Sequence, residues 1–379
     1  MCINWIWQQP DWPYFDWDNA RVQPRLRHVR LQLGVLIGKS STQGKEHRTL
    51  DTLLSNILSS SAIENEVLNA QSVRSSLARR LRITEQQPYP VSDQSEGLAQ
   101  MMLDAIENTN APLTLTRLCT WHHWLFPNED HSLYTRPVRV GQLRGDEPMQ
   151  VISGRVDRPV VHFEAPPKSR LSDELTCFLE WFQHSQTDAS FDPLLRAAMT
   201  HLWFVTLHPF DDGNGRITRA LTDMALAQAD QQSIRLYSMS VAILKRRNEY
   251  YQILETSQRG DMNITDWLLW FLDVLEQTLD QSIADIDRTL TKTRFWQTFH
   301  DTGLNTEQTK VINRLLDGGE NGFDHGINAT QYRRVAKVSK STATRHLADL
   351  LEKGCLEKMP GGGRSTRYHL PDGFRQEAD

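Results

Sequence analysis

The stretch His208-Pro-Phe-Asp-Asp-Gly-Asn-Gly-Arg-Ile-Thr-Arg219 restricts this chain more than any other. It follows an apolar run, residues 192–207, that predicts a buried helix with Asp192 as N-cap and Pro193 at the first helical position. Residues 217–229 predict a second helix, with Leu221, Met224 and Ala225 on its apolar side. The twelve residues therefore form a loop that opens at a helix N-terminus, where unpaired N–H groups and partial positive charge suit an anion. Gly213 and Gly215 flank Asn214, so the backbone can curl with positive φ and turn its N–H groups inward. Arg216 and Arg219, three apart, share one helix face. Two such forks match a di- or triphosphate. Asp212 is a hard oxygen ligand for a Mg2+ ion that phosphates partly coordinate. His208, stiffened by Pro209, can accept a proton near neutral pH. Taken singly, the histidine reads as a core or capping residue and Asp-Asp-Gly-Asn-Gly as an ordinary loop. Taken together they predict a nucleotide-phosphate site.

From His208 to Arg219 the chain also resembles the Fic family signature, HxFx(D/E)GNGRxxR, at every specified position. The resemblance extends over residues 91–278 and implies a mainly α fold, a Fic-type helical core with a β-hairpin flap. It implies transfer of AMP from ATP to a Tyr, Ser or Thr hydroxyl of a target protein, with release of pyrophosphate. His208 is then the base, Asp212 the Mg2+ ligand, and Gly213, Asn214, Gly215, Arg216 and Arg219 the groups around the phosphates. Relatives that phosphorylate their targets alter the second glycine and the following arginine. Gly215 and Arg216 are kept here, which favours nucleotidyl transfer.

Ahead of that core, residues 1–90 predict a helical, Trp-rich region. Trp5, Trp7, Trp12 and Trp17, with Pro10 and Pro13 between them, read as an arm packed on its own domain or as a recognition surface. From Arg25, the spacing of Leu26, Val29, Leu33, Leu36 and Ile37 predicts an amphipathic helix with Arg25, Arg27 and Arg30 on a solvated face, broken by residues 38–44. Residues 50–58 predict another helix, interrupted by Ser59-Ser60-Ser61. Ser61 and Glu64 fit a capping box. Ser60-Ser-Ala-Ile-Glu64-Asn65 is also similar to the family's inhibitory motif, Ser/Thr-xxx-Glu-Gly/Asn, which implies an inhibitory helix at about residues 59–70. Carried over, Glu64 meets Arg219 and fills the seat of the γ-phosphate, where a carboxylate and a phosphate compete for one fork.

Residues 86–97 read as a polar connection, and 98–107 and 114–125 as helices. His122, His123 and His131 have no acid or cysteine at metal spacing and read as surface or core residues. Residues 149–153 and 158–163 predict a hairpin. The resemblance makes it the flap that holds a target peptide by strand pairing, with Val151, Ile152, Ser153 and Gly154 touching the nucleotide. Residues 245–255 predict a charged helix. There the resemblance puts one of Tyr250 and Tyr251 in the core and the other against the base, with Gln258 a weaker candidate. A helix over 265–278 closes the bundle, and a polar helix over 279–304 links it to a tail of residues 305–379. The tail reads as helices over 307–316, 329–338 and 341–352 and a hairpin over 355–370, which looks like a winged helix-turn-helix. Arg333, Arg334, Lys337, Lys340, Arg345, Arg364 and Arg367 supply cations for DNA phosphates, diluted by Asp349, Glu352 and Glu357. Such tails also dock proteins or a second copy of the chain, so duplex DNA and a homodimer both stay open.

Composition sets the remaining bounds. A chain of 379 residues suggests two or three domains. A formal net charge of −5 gives no global field toward nucleic acid or membranes. Cys2, Cys119, Cys177 and Cys355 show neither metal nor disulfide spacing, and no leader or membrane span is evident. These features predict a cytoplasmic protein. Two rival functions remain. One is a transcription regulator whose nucleotide site senses a ligand; the other is removal of AMP at the same site, with Glu64 orienting a water.

Overall fold

The computed structural model describes residues 5–40, 45–127, 138–155, 158–230, 236–318, 323, 326–360 and 366–375. Cys2, His131, residues 41–44, the flap turn at 156–157, and Arg364 with the hairpin tip at 361–363 lie outside them. Among the described residues the protein is mainly α-helical, with two small antiparallel hairpins. In chain order the elements are α1 (Asn19–Lys39), α2 (Lys45–Ile63), α3 (Ala70–Arg80), α4 (Asp93–Glu107), α5 (Leu115–Leu125), β1 (Gln150–Arg155), β2 (Arg158–Glu164), α6 (Lys168–His184), α7 (Pro193–Leu207) and α8 (Asn214–Asp230). They continue as α9 (Met239–Lys245), α10 (Arg247–Gln258), α11 (Thr265–Thr298), α12 (Thr306–Asp317), α13 (Ala329–Ala336), α14 (Lys340–Glu352), β3 (Glu357–Lys358) and β4 (Tyr368–His369). Two compact units result, Met1–Asp280 and Gln281–Asp379.

The first unit is built around α7. Every residue from Leu194 to Leu207 is buried, so α7 is apolar on all sides rather than amphipathic. Its start is the one predicted from sequence: the Asp192 side chain accepts hydrogen bonds from the Leu194 and Leu195 N–H groups, at 2.7 and 3.2 Å, with Pro193 in the first turn. Arg30 of α1 pairs with the same carboxylate. Arg25 pairs with Glu276 at 2.8 Å and Asp273 at 3.4 Å, so the charged side of α1 is pinned to α11 rather than simply solvated. Helix α1 also begins earlier than expected, because Asp18 caps it at Ala20 and Arg21 and Pro24 is tolerated in an early turn.

The tryptophan arm packs on its own domain. Trp5, Trp7 and Trp12 are buried; the Trp7 indole donates to the Glu164 carbonyl and that of Trp12 to the Glu174 carboxylate, both at 2.7 Å. The backbone of Asp16 is stitched to Met262 and Ile264 by two 2.8 Å bonds.

Several boundaries differ from the sequence expectation, each for a tertiary reason. Ser59–Ser61 do not interrupt α2, which runs on to Ile63; Ser60 and Ser61 are buried in its last turns. Residues 93–97 belong to α4, capped by Ser92. The charged helix expected over 245–255 is broken at Arg246, which ends α9 and begins α10. Residues 265–298 form one helix rather than two. In the second unit, Phe295 of α11 joins Val311, Ile312, Tyr332, Leu347 and Leu350 in one apolar core. Three helices and the β3–β4 hairpin surround it, and Ile327 pairs with Tyr368 as a further bridge. Among the described residues, no helix is long and apolar enough to cross a membrane.

Because Asp192 both caps α7 and holds α1, Asp192→Ala should destabilise the first unit by about 1–2 kcal/mol. Chemical denaturation of the wild type and the variant measures this, and equal midpoints would show that the cap is dispensable.

Candidate active site

Helix α7 ends where the signature begins, and it ends in a left-handed residue. His208 has φ 47° and ψ 58°, its N–H bonded to Phe204 O at 3.2 Å. A residue other than glycine costs about 1 kcal/mol or more there and needs outside support. The imidazole Nδ1 lies 3.0 Å from the Val205 carbonyl, which can only accept. Nδ1 therefore carries the proton, and Nε2 is left with its lone pair. Burial, opposed by the Val205 bond, holds the imidazole below its ordinary range. The ring is neutral at pH 7 and able to accept a proton.

The loop beyond it is braced from within. The Asn214 side chain accepts from the Phe210 N–H at 2.9 Å and donates to the Phe210 carbonyl at 2.8 Å. Its amide is thus engaged in closing the loop, whereas the sequence reading turned it toward a phosphate. Gly213 has φ 77°, as the curl requires. Gly215 does not share it, because α8 begins at Asn214, three residues before the expected start. What Gly215 supplies is room: a Cβ there would lie 2.1 Å from Glu64 Oε1. Asp211 is held by Arg139 at 3.0 Å. Asp212 is 61% exposed, accepts from the Gly213 N–H at 2.5 Å and stands 3.8 Å from Arg216.

Arg216 and Arg219 are nearly buried, with side chains 6% and 3% exposed, and both are met by acids. Arg219 binds Glu64 at 2.9 Å, the Ser60 hydroxyl at 2.8 Å and the Ser60 carbonyl at 2.7 Å. Arg216 binds Glu66 at 2.5 Å and lies over the Phe126 ring at 5.1 Å. Glu64 does not begin a helix, so the capping-box reading fails. It closes the C-terminus of α2: the Glu66 N–H bonds to Ser61 O and the Asn65 N–H to Ala62 O, both at 3.0 Å, with Asn65 at φ 61°. This is a Schellman turn, whose left-handed position favours Gly or Asn. The supposed inhibitory helix over 59–70 is therefore the last turn of α2 followed by a loop. Burial alone would raise the Glu64 carboxyl, but the Arg219 guanidinium outweighs it and holds the group below the usual carboxylate range.

A cavity of about 780 Å³ opens beside these groups. Glu64, His208, Asp212, Gly213 and Gly215 form one wall, and Val151, Ile152 and Ser153 of the flap another. Tyr250, Tyr251 and Gln258 line it from α10, while Gly154 is not part of the lining. The two tyrosines divide as the sequence allowed. Tyr250 is buried, its hydroxyl 2.9 Å from His201 Nε2; Tyr251 is 38% exposed and donates to the Ile63 carbonyl at 3.0 Å. Strand β1 pairs with β2 from Gln150↔Glu164 to Arg155↔Arg158, with a register shift between Val151 and Ile152. Ser153, His162 and Glu255 are linked at 2.6 and 2.8 Å, tying the flap to α10. The sequence reading missed Glu66, Arg144 and Arg247, whose guanidinium binds Asn65 at 2.7 Å. Two acids two residues apart, facing two arginines three apart, were the available signal for Glu66.

Residues 112–226 match the family model described as Fic/DOC family, and residues 5–83 match one described as Domain of unknown function (DUF4172). Residues 112–226 thus carry the Fic/DOC match. A protein adenylyltransferase Fic from Aedes aegypti is 26% identical over 235 residues, 61% of this chain and 42% of that protein. A uridine 5'-monophosphate transferase from Xanthomonas campestris pv. campestris (strain 8004) is 35% identical over 120 residues, 31% of this chain and 21% of that one. The chain spans less than half the length of these relatives. The crystal structure of a Fic domain containing signaling protein from Bacteroides thetaiotaomicron VPI-5482 shares the fold. It has a TM-score of 0.50 and 16% identity, and covers 68% of this chain and 95% of its own.

Two buried histidines near the site set an acid limit. Burial depresses His122, stacked on Phe210 at 4.3 Å, to about 4, and His201 to about 3. An unfolded chain binds these protons at the ordinary value of 6.5. Stability is therefore full above pH 6.5 and falls as pH drops from there toward the folded values, by up to about 1.4 kcal/mol per pH unit for each group. Denaturant midpoints measured between neutral pH and pH 5 should decline accordingly; a flat profile would mean that neither ring is buried neutral.

Proposed function

We propose that this protein transfers AMP from ATP to a Tyr, Ser or Thr hydroxyl of a target protein, releasing pyrophosphate, and that Glu64 restrains it. The reading is carried by one observation: a neutral His208 with a bare Nε2 beside a helix N-terminus in a cavity of nucleotide size. The adenylyltransferase name of the Aedes relative supports AMP; the uridylyl name of the Xanthomonas relative keeps UTP in the test.

In the reaction, His208 Nε2 takes the proton of the target hydroxyl as its oxygen bonds to the α-phosphorus. The bond from that phosphorus to the bridging oxygen breaks, and pyrophosphate departs. The inward N–H groups around Gly213 and Gly215 and the start of α8 steady the phosphate charge, and Arg216 and Arg219 hold the leaving group once their acids withdraw. Asp212 would hold Mg2+, a fit supported by its exposure to the cavity. Among the described residues no cluster of three acid, His or Cys ligands exists, so phosphate and water must complete the shell. A bound Mg2+ would neutralise phosphate charge. Tyr251 and Gln258 bound the base side, Val151 to Ser153 cover the nucleotide, and the flap edge receives the target peptide. The free thiols Cys119, Cys177 and Cys355 accord with a reducing, cytoplasmic setting.

Following label from each α-labelled nucleoside triphosphate into protein tests this. Glu64→Gly should raise transfer above wild type, and Arg219→Ala, which breaks the same pair but loses a phosphate ligand, should not. His208→Ala in the Glu64→Gly background should lose about 10²–10⁴-fold. Equal labelling by the wild type and Glu64→Gly would remove the inhibitory role, and undiminished labelling without His208 would remove the base.

For the second unit we propose a winged helix that docks on duplex DNA. Arg333, Arg334, Lys337, Lys340 and Arg345 are exposed on α13, α14 and the turn between them, and none has an ion pair among the described residues. Arg367 instead donates to the Gly326 carbonyl at 2.8 Å. Retention of the full chain on duplex DNA should fall steeply with salt through counterion release. Retention unaffected by Arg334→Ala/Arg345→Ala would point to a protein partner or a second copy.

A further inference from the structure

We propose that Arg144 is a positioning residue for the transfer reaction, holding the His208 turn so that the imidazole Nε2 faces the cavity. The inference rests on the reading of His208 as the base.

Arg144 is among the largest fully buried side chains, 2% exposed, and it forms no ion pair among the described residues, the nearby Asp211 charge only partly offsetting its burial. A guanidinium so placed is retained only where its donors are used. Its Nε donates to the His208 carbonyl at 2.8 Å, and a terminal nitrogen donates to the Pro166 carbonyl. Its own backbone N–H donates to the Pro209 carbonyl at 3.0 Å. One residue thus grips the carbonyls of two successive residues, His208 and Pro209, and ties them to the segment entering α6.

The grip falls where the backbone needs it. His208 occupies the left-handed region, and among the described residues its ring makes one hydrogen bond, Nδ1 to Val205 O at 3.0 Å. If the His208 carbonyl turned, the ring would swing off Val205, the Nδ1 proton would lose its acceptor, and the two tautomers would mix. Proton transfer tolerates little misplacement, about 1 Å being enough for a hundredfold loss. The cation also sits at the negative end of α7, which favours its charge there. Burial first, and the Arg144 charge after the opposing Val205 bond, disfavour the imidazolium; Glu64 and Asp212, the acids facing the ring, act the other way. Lysine is no substitute, because an ammonium on one stem cannot span two carbonyls in the fixed directions of a guanidinium.

The test uses the full chain with 15N-labelled histidine, the His208 signals being assigned by their loss in His208→Gln. Wild type should show one neutral tautomer with the proton on Nδ1. Arg144→Met and Arg144→Lys should both show mixed or exchange-broadened His208 signals. In the Glu64→Gly background, both should lower kcat about 10–100-fold while KM for ATP stays within about twofold. Circular dichroism establishes folding; if Arg144→Met does not fold, Arg144→Lys decides alone. A folded variant with the wild-type tautomer and kcat would overturn the proposal and leave Arg144 a purely structural residue. Transfer that survives in His208→Ala would instead overturn the base, and with it the catalytic meaning of the contact, while mixed tautomers in the Arg144 variants would still show that Arg144 orients the ring.

Discussion

A helix buried on all sides must stop where its last carbonyls can be satisfied without water, and the site depends on how α7 meets that requirement. It stops in a left-handed histidine, and the residues that follow reverse direction within six positions before α8 begins at Asn214. The Asn214 amide closes the reversal on both polar groups of Phe210. The ring of Phe210 is stacked on His122, so the loop is packed as well as hydrogen-bonded. A rigid turn of this kind places a proton acceptor and a helix N-terminus side by side, as phosphate chemistry needs.

Burying two arginines beside that turn creates a second constraint. Enclosing Arg216 and Arg219 is costly unless counter-charge or phosphate meets their donors. The Schellman turn at the end of α2 delivers two carboxylates to them. Asn65 takes the left-handed position that lets the chain turn, and Arg247 and Tyr251 of α10 hold it through the Asn65 side chain and the Ile63 carbonyl. The same α10 lines the cavity, so that wall and the turn carrying the two acids are held together through shared contacts.

The N-terminal arm and α11 have supporting roles. Trp7 and Trp12 reach Glu164, ahead of α6, and Glu174, within it, and Trp5 packs edge-on against Phe163 of the flap at 5.3 Å. The flap is anchored at its β2 side by Arg259, which donates to the Val161 carbonyl at 2.7 Å. Anchoring of one strand leaves the outer edge of β1 as the available pairing edge.

What the sequence by itself determined is whatever rests on neighbours a few residues apart. The Asp192 cap, the proline after it, the apolar α7, the curl at Gly213 and the hairpin at 150–164 all depend on contacts of that range, and spacing alone expresses them. Resemblance to a long motif carried the reading further, to Glu64 opposite Arg219, although 155 residues separate them. Only the tertiary structure decided the rest. Ser60 and Ser61 remain helical because the Ser60 hydroxyl and carbonyl have Arg219 as partner, and no local rule contains that arginine. Glu66 finds Arg216 across 150 residues, Arg144 reaches His208 across 64, and Tyr250 is the core tyrosine because His201 lies 49 residues before it. Side-chain hydrogen bonds of this kind impose no period on the sequence, so they become visible only when folding brings their partners together.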